Sequence, residues 1–442
     1  MKHITFKCIF LFTILCCCYC KPLQAQDTAK WSLQQCLDYA ARNNITINTL
    51  RLQQRSGEQD VLLAKAAKLP NLTGSGTQNL QHGKVFSVDG SAESQWTLSG
   101  SYGLSSGITI FNGQYLNNDI RQKQLLLQQA AYNIEQGMND ITMNITTAYL
   151  NILLAKETIL YQQDLLNTAV AQVKQSQDRY NVGSIALRDL AELQAQQAND
   201  RYQLVNALNQ HRQYLLNLKQ LLQLPYDSTF DIVSPDTLMA NALPTPLRQA
   251  QETALAQRPE VKSSELNVQA AQLDLAKARS GYLPTLTAGA NVATSYARDP
   301  DYTYLKQLDN NFYQQIGLTL SVPIFTRRVV KTNVEKSKIE IAQAQLDLQN
   351  TRTTLAQNVE QAYINVQGAQ SQYDAAVEQL RYSQESYRIA TAALQVGQYN
   401  TVDYLLQKNL YVQALQNYIQ AKYNAALSIR IYDFYRGIPI KL

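Results

Sequence analysis

The chain has 442 residues, of which 45% are hydrophobic, and a formal net charge of +5. Removal of residues 1–25 as a signal peptide would take away three lysines and no acidic residue, leaving 36 basic residues (39 − 3) against 34 acidic ones. A mature net charge near +2 gives no electrostatic argument for a nucleic acid partner, so nucleic acid binding is not expected.

The N-terminus predicts export. Lys2 and Lys7 precede an apolar stretch over 8–20 that is too short for a resident transmembrane helix, and we expect cleavage after Ala25. Lipidation of a cysteine within 16–20 is the alternative. Cleavage would leave Cys36 as the only cysteine, so no intramolecular disulfide is expected. The remaining 417 residues (442 − 25) contain no apolar run of eighteen and predict no transmembrane helix.

Four segments alternate bulky apolar residues with small or polar ones, as β-strands with two different faces do. They cover 72–81, where the alternation is weakest, then 96–110, 286–296 and 312–322, and polar loops over 83–93 and 299–311 join the members of each pair. The pattern is typical of strands between lipid and a watery lumen. The residues predicted to face lipid are Trp96, Leu98, Leu104, Ile316, Leu318 and Leu320.

Four strands cannot close a barrel, and an unpaired strand edge is not tolerated in lipid. A membrane location therefore requires several chains to share one barrel, and three chains would supply twelve strands. Half of a soluble β-sandwich is the alternative interpretation of the same segments.

Two long stretches without proline, 113–180 and 327–396, predict long helices. Within 130–155 and 355–380, the apolar residues recur in steps of three and four, which average close to the coiled-coil period of 3.5. Each stretch permits a helix of roughly 100 Å at ~1.5 Å per residue.

The chain repeats itself at a spacing of 214 residues. Leu69-Pro70 returns as Leu283-Pro284 (283 − 69 = 214), and Ile110-Phe111, Ala148-Tyr149 and Val182-Gly183 return at the same spacing. Four landmarks in one register predict a duplicated unit, each copy containing a long helical hairpin and a strand pair.

Val182-Gly183 and Val396-Gly397 interrupt the two long helical patterns at equivalent points. Glycine permits a turn with positive φ, so these positions predict the tips of two helical hairpins. Either the tips are ordinary helix–helix turns, or they carry a docking surface and a gate.

Chemistry elsewhere in the sequence is sparse. His82 is predicted in an outer loop, and His211 lies at seam spacing among leucines, where a packed histidine is expected. We find no cluster with metal-ligand spacing and no nucleophile–base pair. The sequence therefore predicts no catalytic residue, no cofactor and no metal site.

The ordered landmarks resemble the TolC-like outer-membrane efflux proteins, also called outer-membrane factors. The resemblance covers the mature chain and rests on the opening segment 31–40, on its partner 247–260, on both Leu-Pro pairs and on the tips 179–184 and 396–398. It implies an α+β membrane protein with a duplicated unit of long coiled-coil α-helical hairpins and strand pairs. Four strands per chain would form a trimeric twelve-stranded β-barrel with a periplasmic α-helical tunnel.

The resemblance also implies the location, the partners and the division of the chain. The expected protein is a homotrimer in outer-membrane lipid that extends into the periplasm and docks onto a periplasmic membrane-fusion adaptor and an inner-membrane pump. It would passively conduct substrates outward in tripartite efflux or type I secretion. An exported coiled-coil scaffold or adhesin without a pore is the alternative. The expected segments are the signal peptide 1–25, N-terminal periplasmic helices 26–70, a first transmembrane strand pair 71–112, a first long hairpin 113–225, a linker 226–246, second-repeat helices 247–284, a second strand pair 285–326 and a second hairpin with the C-terminal end 327–442.

For the tips, the resemblance implies adaptor docking and a periplasmic gate. In the family, an aromatic residue, an arginine and aspartates near the second-copy glycine can hold such a gate. Matched by spacing, these places hold Leu394, Tyr399 and Asp403, with Asp189 in the first copy, so the aspartates are kept and the aromatic residue and the arginine are not. Three copies of Asp403 would form an acidic ring that favours cations, and a solvated acid at a helix start is the alternative. The expected docking residues are Val182, Gly183, Ser184, Val396, Gly397 and Gln398.

Overall fold

The structure is a computed structural model that describes residues 29–86, 92–225, 229–235, 245–297 and 302–440. The predicted signal peptide and the cysteines within it lie outside the described residues. The elements in chain order are β1 (Ala29–Trp31), α1 (Leu33–Asn43), α2 (Ile45–Ala66), β2 (Asn71–Phe86), β3 (Ala92–Asn112), α3 (Tyr115–Asn181), α4 (Leu187–Leu222), β4 (Phe230–Ile232), α5 (Leu247–Gln257), α6 (Pro259–Ser280), β5 (Thr285–Ala297), α7 (Tyr304–Asn310), β6 (Tyr313–Ser321), α8 (Val329–Gln395) and α9 (Thr401–Tyr435).

The duplication predicted from the sequence is confirmed by the element bounds. Helices α3 and α8 each contain 67 residues, and both their starts (329 − 115) and their ends (395 − 181) are 214 residues apart. Helices α1 and α5, and helices α2 and α6, keep the same offset at both ends. The two long helices confirm the prediction from the proline-free stretches.

The backbone conformation repeats as well. Eight of the described residues have positive φ, and they form four pairs at the same spacing of 214. One pair is Gly183 and Gly397, with φ of 74° and 76°. Another is Gly113 and Arg327, so the second copy places an arginine in a left-handed conformation where the first copy has glycine. Both copies therefore turn at the same places even where the residues differ.

The chain divides into two compact units. The first comprises residues 1–45, 139–246 and 361–442, and its core packs α1, α4, the later part of α3 and α9 around Cys36, Ile152, Leu218 and Leu222, all fully buried. Strands β1 and β4 pair in parallel here, and the Tyr149 hydroxyl donates to the Val233 carbonyl oxygen at 2.6 Å. Side chains of α3 thus fix the short sheet.

The second unit comprises residues 46–138 and 247–360. Its helices are joined by polar contacts: Lys277 on α6 lies 3.1 Å from Asp119 on α3, and Arg352 on α8 lies 2.6 Å from Glu265 on α6. The unit also contains an antiparallel sheet with strand order β2-β3-β5-β6. The four strands predicted from alternation are confirmed.

Three details of the strand region differ from the predictions. Strand β2 continues to Phe86 and strand β3 begins at Ala92, so most of the stretch 83–93, which the sequence predicts as a loop, is strand. His82 pairs with Trp96 within the sheet. The predicted loop 299–311 contains helix α7. A β-bulge between Thr109 and Phe111 interrupts the alternation, and it places Phe111 opposite Leu286. Neither cross-strand pairing nor a bulge is visible in the alternation of a single segment.

None of the helices in the described ranges combines the length and the apolar character needed to cross a membrane.

Candidate functional site

The strand register collects the apolar residues of the sheet on one face. Directly paired residues of antiparallel strands lie on the same face. Leu104 pairs with Val292, and Ala288, which shares the face of Val292, pairs with Leu318. Following the pairing along the strands places all six residues predicted to face lipid on this one face of the sheet. They are Trp96, Leu98, Leu104, Ile316, Leu318 and Leu320.

These apolar side chains are exposed in the part of the chain that the structure describes. Ile316 is 87% exposed and Leu318 is 70% exposed, and every residue of β6 is exposed. Contiguous apolar surface of this kind is unusual on a soluble monomer and indicates contact with lipid or with another protein.

The opposite face of the sheet is polar. Its strand residues are mainly serine, threonine, asparagine, glutamine and glycine, with no charged residue at odd positions over 71–83, 95–109, 285–297 and 313–321. The hydroxyls of Thr77 and Ser101 lie 2.7 Å apart across two strands on this face. A cavity of about 940 Å³ lies against it, lined by residues that include Ser105, Thr287 and Thr319. This face is suited to water.

The two edge strands of the sheet have unused backbone groups. In the described part of the chain, β2 and β6 each pair with one strand only. Their outer edges therefore present backbone N–H and C=O groups that water or another chain must satisfy.

The turns at the ends of α3 and α8 have the same hydrogen bonds. At the first, the Gly183 N–H donates to the Tyr180 carbonyl at 2.9 Å, and the Ser184 N–H donates to the Arg179 carbonyl at 2.8 Å. At the second, the N–H of Gly397 donates to the carbonyl of Leu394, and that of Gln398 to the carbonyl of Ala393. This is the Schellman pattern, in which a residue with positive φ ends a helix.

The valine before each glycine lies on the surface. Val182 is 80% exposed and Val396 is 70% exposed. The ends of α3 and α8 are also connected to each other, since Arg179 Nη2 donates to the Gln395 carbonyl at 3.1 Å. The tips therefore present two exposed apolar side chains on turns of fixed geometry.

We predict opposite stability changes for two glycine-to-alanine variants of the second copy. Neither Gly397 at the tip nor Gly368 within α8 has a neighbour within 4 Å of an added Cβ, so only backbone conformation matters. Gly397→Ala should destabilise the protein by about 1–2 kcal/mol because φ is positive there. Gly368→Ala should stabilise it by roughly 1 kcal/mol through helix propensity. Thermal unfolding of both variants under identical conditions tests this, and equal shifts would contradict it.

The four residues expected at the gate have different surroundings. Asp189 and Asp403 lie in the first turns of α4 and α9, where an acid is favoured by the helix dipole. Leu394 is partly buried and packs against the cluster of Leu193, Ala390 and Tyr404. Tyr399 is exposed. Within this chain, therefore, Leu394 is packed into the hairpin, whereas Tyr399 and Asp403 are available at its surface.

Sequence reasoning missed a buried polar network beyond the tips. Lys408 of α9 is completely buried, and its Nζ lies 2.7 Å from Oδ2 of Asp200 on α4. Gln196 donates to the other Asp200 oxygen at 2.8 Å. One turn away on α9, the buried Tyr404 hydroxyl contacts Gln172 of α3 and lies 3.2 Å from the hydroxyl of Tyr387 on α8.

The network joins the two helical hairpins of the chain. Hairpin α3–α4 contributes Asp200 and Gln172, and hairpin α8–α9 contributes Lys408 and Tyr404. Burial raises the pKa of the Tyr404 hydroxyl, which therefore stays protonated. The sequence did contain a sign of this buried network. Asp200 follows Leu193 by seven residues and precedes Leu204 by four, which puts a charged residue in an apolar seam.

Other chemically active groups are buried or isolated. Burial raises the pKa of the Cys36 thiol to about 12, which makes the thiol unreactive at neutral pH. Burial also lowers the pKa of His211 on α4. Among the residues that the structure describes, no three His, Cys, Asp or Glu side chains are grouped so that they could hold a metal ion.

Comparison with known proteins identifies the family. The family described as "Outer membrane efflux protein" matches residues 36–223 and 250–429, two stretches whose starts are also 214 residues apart (250 − 36). Outer membrane efflux protein BepC of Brucella suis is 22% identical, over 92% of this chain and 85% of its own length. Outer membrane protein TolC of Escherichia coli is 26% identical, over 75% of this chain and 71% of its own length.

A solved structure shows the same fold. The Campylobacter jejuni CmeC outer membrane channel matches with a TM-score of 0.78 and 20% identity, over 92% of this chain and 85% of that one. The fold predicted from the sequence, with long helical hairpins and strand pairs in a duplicated unit, is thereby confirmed. Since the family match covers both copies of the unit, the chain belongs to the outer membrane efflux protein family, whose members are outer-membrane transport channels rather than enzymes.

Proposed function

We propose that three copies of this chain form one outer-membrane channel with a twelve-stranded barrel and a periplasmic helical tunnel. In this proposal, residues 71–112 and 285–326 cross the membrane, and the hairpins within 113–225 and 327–442 extend into the periplasm. The six apolar residues at Trp96, Leu98, Leu104, Ile316, Leu318 and Leu320 contact lipid. The polar face lines the lumen.

The observation that carries the proposal is the pair of open edges on β2 and β6. A backbone group without a hydrogen-bond partner costs several kcal/mol in hydrocarbon, so a four-stranded sheet requires further strands at both edges. Pairing β6 of one copy with β2 of the next satisfies both edges, and three copies close the ring with twelve strands. The polar face and the apolar opposite face fit the two sides of such a wall.

The channel acts as a passive outlet. In this proposal the driving force comes from an inner-membrane pump that is connected through a periplasmic membrane-fusion adaptor, in efflux or in type I secretion. We assign adaptor docking to the tips, at Val182, Gly183, Ser184, Val396, Gly397 and Gln398. The exposed valines on rigid turns support this assignment, because apolar side chains fixed in place lose little entropy on binding.

Two measurements on the purified protein in lipid test the proposal. Its mass in nanodiscs should be about three times that of the mature chain, and in a planar bilayer it should conduct ions in discrete steps. A monomer that conducts no ions would refute the proposal. A monomer or trimer that sodium carbonate releases from membranes would instead favour the scaffold or adhesin.

We also predict that ion selectivity depends on the tips. At odd positions over 95–109, 285–297 and 313–321 the polar strand face carries no charged residue, whereas Asp189 and Asp403 are acidic residues beside the turns. Three copies of Asp403 would attract cations at the periplasmic gate, to which we also assign Leu394 and Tyr399, whereas Asp189 is already paired with Arg188 at 3.2 Å. Replacement of Asp403 by asparagine should therefore move the reversal potential in a KCl gradient towards zero.

A lysine introduced at Thr319, on the polar strand face, provides the matched control. It should shift the reversal potential of the otherwise unaltered channel in the anion-selective direction, because no charged residue occupies an odd position over 95–109, 285–297 and 313–321. If the Asp403→Asn channel keeps its full cation preference, the acidic ring is not the selective element.

A further inference from the structure

Helix α7 packs on the apolar face of the sheet. The Thr294 hydroxyl of β5 donates to the Leu308 carbonyl of α7 at 2.5 Å, and the rings of Tyr296 and Tyr304 meet edge to face with centroids 4.7 Å apart. Thr294 and Tyr296 are two and four residues after Val292 on β5, so their side chains lie on the same apolar face as that of Val292. The helix therefore covers the outer end of the face that we assign to lipid, and it leaves the polar face uncovered.

The contact is built around the Tyr296 ring. A Cβ on Gly100 would come within 2.6 Å of Tyr296 Cε1, so glycine is needed for the ring to lie flat on β3. Gln78 Nε2 donates to the Tyr296 hydroxyl at 3.0 Å, and the Tyr304 hydroxyl lies 3.4 Å from that of Tyr102. Tyr296 is only 8% exposed although its strand neighbours are open. The helix is thus held by specific contacts.

The height of this aromatic layer matches one boundary of the hydrocarbon. Leu286 and Tyr296 are ten residues apart on β5 (296 − 286), which corresponds to roughly 33 Å along the strand. At a strand tilt of about 40° this becomes roughly 25 Å along the membrane normal, the height of the apolar band on outer-membrane barrels. Phe111 lies opposite Leu286 at the other boundary. The two aromatic positions therefore bracket the band, and Trp96 and Leu98, which lie beyond Gly100 on β3, contact lipid at the headgroup level.

The outward side chains of α7 are those of a membrane interface. Leu305 is 75% exposed, and Lys306 Nζ lies 5.4 Å above the ring of Tyr302. Tyrosine rings favour the headgroup level, and lysine can keep its ammonium in water while its methylene groups cover apolar surface. One exposed leucine beside these groups is suited to the upper acyl chains.

We infer that α7 is an interfacial anchor that lies outside the barrel wall, at the boundary between headgroups and acyl chains of the external leaflet. This inference rests on the proposed function, which orients the apolar face towards lipid. The occupant of the surface is membrane lipid, continuous with the lipid that covers Leu318 and its neighbours. The helix places no side chain over the mouth of the pore.

Nitroxide labels at single introduced cysteines test the anchor in reconstituted trimers. Cys36 is fully buried and unreactive, so it needs no replacement. Leu305→Cys reports on α7, and Ser99→Cys is the matched control, because Ser99 pairs with Ala297 at the same height on the polar face. The ratio of collisions with oxygen to collisions with a water-soluble nickel complex should be several-fold higher for the label at 305 than for the label at 99.

Leu318→Cys separates the two levels of the proposal. Equal nickel access at 305 and 99, with oxygen preferred at 318, would overturn the anchor and leave the channel intact. Nickel access at 318 would instead refute the lipid face and with it the proposed function. In planar bilayers, an anionic thiol reagent added outside should reduce the conductance of Ser99→Cys and leave that of Leu305→Cys unchanged. A block at 305 would place α7 over the pore.

Discussion

Replacing Lys408 with methionine is expected to destabilise the helical hairpins by about 3–5 kcal/mol, the largest effect we predict for a single side chain. The loss arises because Asp200, itself 4% exposed, would be left buried without its ion-pair partner, although Gln196 would still donate to it. The midpoint of chemical or thermal unfolding, followed by circular dichroism of the purified protein, measures the change.

The double variant Lys408→Met/Asp200→Leu shows whether the unpaired charge is responsible. Removing both charges replaces the pair with apolar groups of similar volume, which is often close to neutral, so the double variant should be more stable than Lys408→Met alone. Lys338→Met is the surface control: its partner Glu335 lies 2.9 Å away, with both side chains about half exposed, and no measurable shift is expected. A double variant as unstable as the single one would contradict the explanation.

Leu318→Arg is expected to oppose membrane insertion by roughly 2–4 kcal/mol if the site lies near the bilayer midplane. The side chain is on the apolar face of β6, opposite Ala288, and it is 70% exposed in the part of the chain that the structure describes. Folding into lipid vesicles, measured by the heat-resistant gel mobility of the trimer or by titration with denaturant, gives the difference from the unaltered protein.

Thr319→Arg is the control for Leu318→Arg because it is the adjacent residue of the same strand and points to the opposite face. It should insert normally and change the conductance, since its guanidinium would lie in the lumen. Equal insertion of the two variants would show that the assigned faces are wrong.

Local periodicity was enough to predict the strands, the long helices and the hairpin turns. A period of two defined four strands, a period near 3.5 defined the long helices, and glycine located both hairpin turns. The spacing of 214 residues also predicted that both copies would share one backbone, and the paired positive φ angles at Gly183 and Gly397 agree with it. These features follow from interactions between residues close in sequence, so a single amino-acid sequence is enough to predict them.

Contacts between residues far apart in sequence became visible only in the folded chain. The partner of Lys408 is 208 residues away (408 − 200), and no local pattern specifies it. The bulge beside Phe111 arises from the register between two strands of different copies, and the place of α7 depends on Gly100 leaving room for the Tyr296 ring. Buried charge pairs, register shifts and packed loops depend on contacts across the fold. Their energies are set by burial and geometry, and the alternation of residues along a single segment specifies neither.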